Sequence, residues 1–170
     1  GINLTAVGED LAQLQADVKL ELEKVNPLIH SYIFGYEKEE LAEVVGRLLL
    51  DQKATLSVAE SCTGGHLAHQ FTQNPGSSAY FIGGIFSYAN QVKIDQLGVS
   101  EEILNTDGAV SEACIQAMAL GVQKRLGTTF ALATSGIAGP DGGTEEKPVG
   151  TVWIALAHPT GVITRKLTLG

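Results

Sequence analysis

Ser61 and Lys93 are residues of this chain whose types could supply a nucleophile and a base. The segment Ala59-Glu60-Ser61-Cys62-Thr63-Gly64-Gly65 follows the apolar run Thr55–Ala59 and precedes His66–Phe71, which reads as a helix. A strand, a glycine-loosened turn and a helix start leave backbone N–H groups open toward an anion or an oxyanion. A serine hydroxyl attacks only when a base takes its proton. His66 and His69 lie on the following helix and point away from its start, and His30 and His158 fall in peripheral segments. Gly-x-Ser-x-Gly is absent, so a serine–histidine triad has little support. Lys93 is the other base. It enters a short helix after the strand that ends near Tyr88 and can reach back toward the sheet edge. To accept a proton near neutral pH it must lie several kcal/mol from an ordinary lysine, which takes burial or a neighbouring cation. On pattern alone, an exposed helical lysine is the plainer reading.

Cys62 is a rival nucleophile, with a buried structural thiol as its plain alternative. Alternation along an extended strand end predicts that Ser61 and Cys62 face opposite ways. The stretch Ser135–Gly150 holds five glycines and two prolines. Its N–H groups can wrap a phosphate, although it lacks a P-loop pattern and no helix follows it. Arg165 and Lys166 alternate on the last strand, so one of them can aim at an anion. No histidine–carboxylate cluster has metal-ligand spacing, so no metal site is expected.

These residues need a framework, and the pattern supplies one. Residues 1–36 read as a separate small α/β fragment, the tail of an upstream domain, with strands at Ile2–Val7 and Ile29–Phe34 and a helix stopped by Asn26-Pro27. Gly35 marks the boundary. Residues 37–170 open with a helix whose first turn carries Glu37, Glu39 and Glu40, favourable near its positive end. Its apolar stripe is Leu41, Val44, Val45 and Leu48. Phe81–Tyr88 is a strand in which Gly83-Gly84 predict a bulge or a close backbone approach. Asn90, Ser100 and Ser111 are candidate helix caps, and Gly127 stops the longest helix of this half. Thr129–Thr134, Val149–Ala157 and Val162–Leu169 are strands, the last two joined by the tight turn His158-Pro159-Thr160-Gly161. The expected architecture is α/β, with helices layered on a mixed sheet.

Composition narrows the function classes. The 170 residues are 44% hydrophobic and 18% charged, with a formal net charge of −8. That suits a globular domain and argues against nucleic-acid binding, which needs clustered Lys and Arg. No apolar run approaches a membrane span and no signal peptide is expected. Two cysteines without metal spacing point to a reduced, cytoplasmic setting.

Taken together, several motifs resemble those of the CinA C-terminal domain family, the nicotinamide mononucleotide (NMN) deamidases. They are the Ala59–Gly65 segment, Gly76-Ser77-Ser78, Tyr88-x-Asn90-x-x-Lys93 and Gly108-Ala109-Val110-Ser111. Ser135-Gly136-Ile137-Ala138-Gly139-Pro140-Asp141-Gly142-Gly143 and Lys147–Val152 complete the set. The likeness runs from about Glu37 to Gly170. It implies hydrolysis of NMN to nicotinic acid mononucleotide and ammonia, with Ser61 as nucleophile and Lys93 as base of a Ser–Lys dyad. Tyr88, Thr63 and Ser135 follow as proton-sharing donors, and the Thr63-Gly64-Gly65 N–H groups as the oxyanion hole. Asn90, Ser135, Gly136, Gly139 and Arg165 are then the substrate-binding positions. The family's last helix and a phosphate-gripping arginine are expected beyond Gly170. A second copy is expected over the bare sheet face, and an N-terminal molybdopterin-binding-like domain in the full-length protein. The competing expectation is a catalytically silent nucleotide-binding module that regulates its partner domain.

Overall fold

A computed structural model describes residues 2–36 and 38–169. The chain divides into two compact units, Gly1–Leu41 and Ala42–Gly170. Helix α1 (Leu11–Ile29) dominates the first unit and is capped by Asp10, whose carboxylate accepts the N–H groups of Ala12 and Gln13. It carries Pro27 within its last turn and runs on into a 3-10 turn, His30–Tyr32, where a strand was expected. Residues 2–7 form no strand either. A strand needs a partner ladder, and this unit supplies none among the described residues. The expected α/β fragment is therefore helical.

In the second unit, helix α2 (Leu41–Asp51) is followed by β1 (Leu56–Glu60), α3 (His66–Thr72) and β2 (Phe81–Phe86). Helices α4 (Asn90–Leu97), α5 (Glu101–Thr106) and α6 (Glu112–Leu126) come next, then β3 (Phe130–Gly136), β4 (Thr151–His158) and β5 (Gly161–Thr168). Helix α2 starts at Leu41, so Glu39 and Glu40 precede it, while Glu37 lies outside the described residues. Ser100 and Ser111 cap α5 and α6 through the N–H groups of Ile103 and Cys114, as expected. Asn90 instead begins α4, whose cap position is Ala89.

The five strands form one sheet in the order β2-β1-β3-β4-β5. Strand β1 runs parallel to both β2 and β3, while β4 and β5 are antiparallel additions. Strand β1 is buried on both faces, including its two polar residues Ser57 and Glu60. Ala59, Ala131, Ala133, Ala155 and Ala157 face α6, whose Cys114, Ile115, Met118, Ala119 and Val122 fill the layer above them. Small strand residues let that helix sit close. On the opposite face Leu56 and Val58 pack with Ala42 and Leu49 of α2, Phe71 of α3 and Tyr80. Where β2 meets β1 the register slips between Leu56 and Ser57, and a side chain at Gly84 would meet Val58 Cγ2 at 2.6 Å. The glycine pair thus marks both a bulge and a close approach.

This topology fixes where chemistry can occur. The chain leaves β1 for β2 on one side and returns to β3 on the other, so the parallel strands diverge around β1. In such sheets ligands bind outside the carboxyl ends of the strands at that switch point. Ser61, Ser87 and Ser135 lie at the ends of β1, β2 and β3.

Candidate active site

The end of β1 is tied down from three directions. Ser61 N–H donates to the Thr134 carbonyl at 3.0 Å, and Ser87 N–H donates to the Glu60 carbonyl at 2.7 Å. These bonds hold the turn between the ends of β3 and β2. Beneath it lies Glu60, which has no solvent exposure. Its carboxylate accepts the N–H groups of Gly65 and Leu67 at 3.0 Å each and of Ala68 at 2.8 Å. A buried anion is tolerated where several donors compensate its lost hydration, and the first turn of α3 offers open N–H groups and a positive dipole end. Glu60 thus fixes the angle at which α3 leaves the Ser61 turn.

One turn into α4, the side chain of Lys93 runs back toward the same point and is 1% exposed. Its Nζ lies 2.6 Å from the Ser87 carbonyl, 3.2 Å from the Tyr88 carbonyl and 3.2 Å from Ser61 Oγ. Burial lowers the lysine's pKa, and only the thiols of Cys62 and Cys114 oppose that shift, through their ionised forms. Burial also raises both thiols above their ordinary 9.0, so they stay protonated at neutral pH and their opposition is weak. As a free amine Lys93 can keep one N–H on each carbonyl and turn its lone pair to the Ser61 hydroxyl. That is the geometry of a general base at rest.

Around this pair is a cavity of about 330 Å³, lined by Ser61, Cys62, Tyr88, Asn90, Lys93, Ala109, Val110 and the Ser135–Gly139 segment with Asp141 and Gly142. Ser135 Oγ donates to the Ala109 carbonyl at 2.8 Å, and Lys147 Nζ donates to the Asp107 carbonyl at 2.5 Å. Both bonds fasten the glycine-rich loop to the turn before α6.

The second unit carries the signature of a known family. A model of the CinA C-terminal domain matches residues 38–170. This chain belongs to that family. A CinA-like protein of Cytophaga hutchinsonii is 48% identical over 168 residues, covering 99% of this chain and 40% of the relative. One from Synechocystis is 58% identical over 128 residues, covering 75% and 31% respectively. The chain therefore spans well under half the length of these curated relatives. Among solved structures, the competence/damage inducible protein CihA from Agrobacterium tumefaciens is 42% identical with a TM-score of 0.76, covering 81% of this chain and 84% of that one. A competence-damaged protein (CinA) superfamily protein from Escherichia coli has a TM-score of 0.75 at 28% identity, covering 84% and 86%. The mixed five-stranded α/β sheet is thus that of the CinA superfamily.

Within the CinA domain, the anticipated site residues separate into groups. Ser61, Lys93, Tyr88, Asn90, Ser135, Gly136 and Gly139 all line the cavity. Tyr88 reaches Lys93 through its carbonyl, and the residue as a whole is 81% exposed. Thr63 Oγ1 is paired with Thr134 Oγ1 at 2.7 Å. Of the expected oxyanion donors, Gly65 N–H is taken by Glu60 and Gly64 N–H by the Ser61 carbonyl. The N–H groups of Cys62 and Thr63 have no carbonyl acceptor among the described residues, and both lie against the Cys62 thiol. Arg165 is not among the cavity residues. It pairs with Ile154 two strands from β3, and neighbouring Thr164 points to Glu112 of α6, so strand alternation turns Arg165 to the opposite face.

Ser61 and Cys62 both line the cavity, against the expectation that they face opposite ways. Strand β1 ends at Glu60, so alternation no longer governs residues in the turn. His66 bonds Gln70 and His158 bonds Thr160, neither at the cavity. Glu60 itself went unassigned in the sequence, although a carboxylate between an apolar strand and a glycine turn is a signal for helix capping. Asp141 was also passed over, because a carboxylate in a glycine-rich loop reads as turn chemistry.

Proposed function

We propose that this CinA domain hydrolyses the carboxamide of NMN to a carboxylate and ammonia, using Ser61 as nucleophile and Lys93 as base. The observation that carries the reading is the 3.2 Å contact between Lys93 Nζ and Ser61 Oγ, with Lys93 buried and held by two main-chain carbonyls. Ser61 gives its proton to the neutral amine as Oγ bonds the amide carbon. The collapsing adduct expels ammonia, which takes that proton from Lys93. Water then attacks the acyl-enzyme, passes its proton to Lys93, and the product carboxylate leaves as Ser61 regains a hydrogen. The N–H groups of Cys62 and Thr63, which meet only the Cys62 thiol, are the candidate donors to the developing oxyanion, an element worth about 10²–10³ in rate. Gly136 and Gly139 bring backbone to the ribose phosphate, and Asn90 and Ser135 border the same space.

In this reading no metal or cofactor takes part. Residues 1–36 are the end of a linker domain that joins the CinA domain to an N-terminal molybdopterin-binding-like domain, and two copies associate in the cytoplasm. Ammonia release from NMN by the full-length protein and by its Ser61→Ala variant is the test. Loss of release in the variant is expected, and equal rates would remove the dyad. Release by neither protein would leave a silent nucleotide-binding module. Cys62→Ala is expected to keep turning over, since its raised pKa keeps the thiol protonated.

A further inference from the structure

A charge inventory of the cavity leads beyond the dyad. Among the described residues that line it, Lys93 and Asp141 are the only formally charged side chains, with neither arginine nor histidine. Lys93 must be neutral to act as base, so the working cavity carries a single negative charge. Asp141 makes no hydrogen bond or ion pair among the described residues and stands exposed on the loop. Gly139 and Gly142 bracket it with φ of 80° and 90°, and a side chain on Gly139 would meet Val149 Cγ1 at 2.6 Å.

We propose that Asp141 is a specificity-determining residue that selects carboxamides carried on a cationic aromatic ring. This rests on the amidohydrolase reading and adds a reason for its substrate class. An N-alkylated pyridinium presents a fixed positive charge a few ångströms from its carboxamide. With the amide carbon at Ser61, the unpaired Asp141 carboxylate in the lining of the same cavity attracts that charge and disfavours carboxylate-bearing competitors. The reduced, dihydropyridine form of the same nucleotide keeps amide, ribose and phosphate but carries no ring charge. It therefore separates ring recognition from recognition of the sugar.

The measurement is equilibrium binding of NMN and its dihydro form to the full-length Ser61→Ala protein, which cannot turn over. The oxidised ring is expected to bind more tightly by roughly threefold or more, the scale of one partly screened charge pair, with a preference that shrinks at high salt. Asp141→Asn in the same background should bring the two affinities together. Glu145→Gln, which removes an exposed loop carboxylate outside the cavity lining, should leave the preference intact. An unchanged preference in Asp141→Asn, or an equal weakening of both ligands, which would assign Asp141 to the ribose hydroxyls, overturns the proposal. So does absence of any preference in the parent protein. A thermal melt of each variant shows whether it is folded. The ammonia assay on the unmodified protein stands apart: its failure with the preference intact removes the reaction and leaves the charge selection.

Discussion

Lys93 has its three hydrogen-bonding directions occupied by two carbonyls and one hydroxyl, and only the hydroxyl can give up a proton. Turnover should therefore rise with pH through the lowered pKa of Lys93, because below it the amine holds its proton and Ser61 stays a resting hydroxyl. A pH profile of kcat/KM is expected to show that rising limb below the ordinary lysine value of 10.5. A limb only at ordinary lysine pH would contradict it. Stability should follow with the same sign. Between the lowered pKa and 10.5 the unfolded chain binds a proton that the folded chain has shed, so folding strengthens as pH rises across that window. The two thiols act oppositely above 9.0, since folding holds their protons longer. Subtracting the urea-unfolding pH profile of Lys93→Met isolates the lysine contribution. At this scale the sequence was half legible. The types and order of Ser61 and Lys93 were visible, but the lysine's burial was not, because it arises from helices packed around it rather than from its own neighbours in sequence.

Two close contacts at the level of elements set the geometry that Lys93 needs. Helix α6 crosses α4 at Gly121, where an added Cβ would lie 2.0 Å from the Leu97 carbonyl. Gly121→Ala must push α4 away, and Lys93 with it. A loss of about 1–3 kcal/mol is expected from such overpacking, read as a lower urea midpoint, together with a fall in kcat although position 121 lies outside the cavity lining. Glu60→Ala removes the acceptor of three N–H groups and should cost about 3 kcal/mol. Glu60→Gln, which keeps the shape, should cost less, and equal losses in the two variants would argue against a role for the charge. Element order, caps at Ser100 and Ser111, and the last hairpin were readable from local chemistry. The two strands expected before Gly35 were not realised. Periodicity indicates what a segment can pair with but not whether a partner is present.

Across the whole molecule, both core clusters draw their buried residues from Ala42 onward. A chain beginning at Tyr36 should therefore keep a single cooperative thermal transition near that of the 170-residue chain. A large drop in the midpoint would show that the helical first unit supports the second. No helix of the described residues is long and apolar enough to cross a membrane. The bonds on Lys93 have a consequence at this scale too. The amine and both carbonyls belong to the seven residues from Ser87 to Lys93, bounded by a strand end and one helical turn. Main-chain atoms hold the amine, so side chains at 87 and 88 can drift over evolutionary time without releasing it. The amine's anchor is thus local to one stretch of backbone, whereas its burial is borrowed from α6 packed across α4 at Gly121.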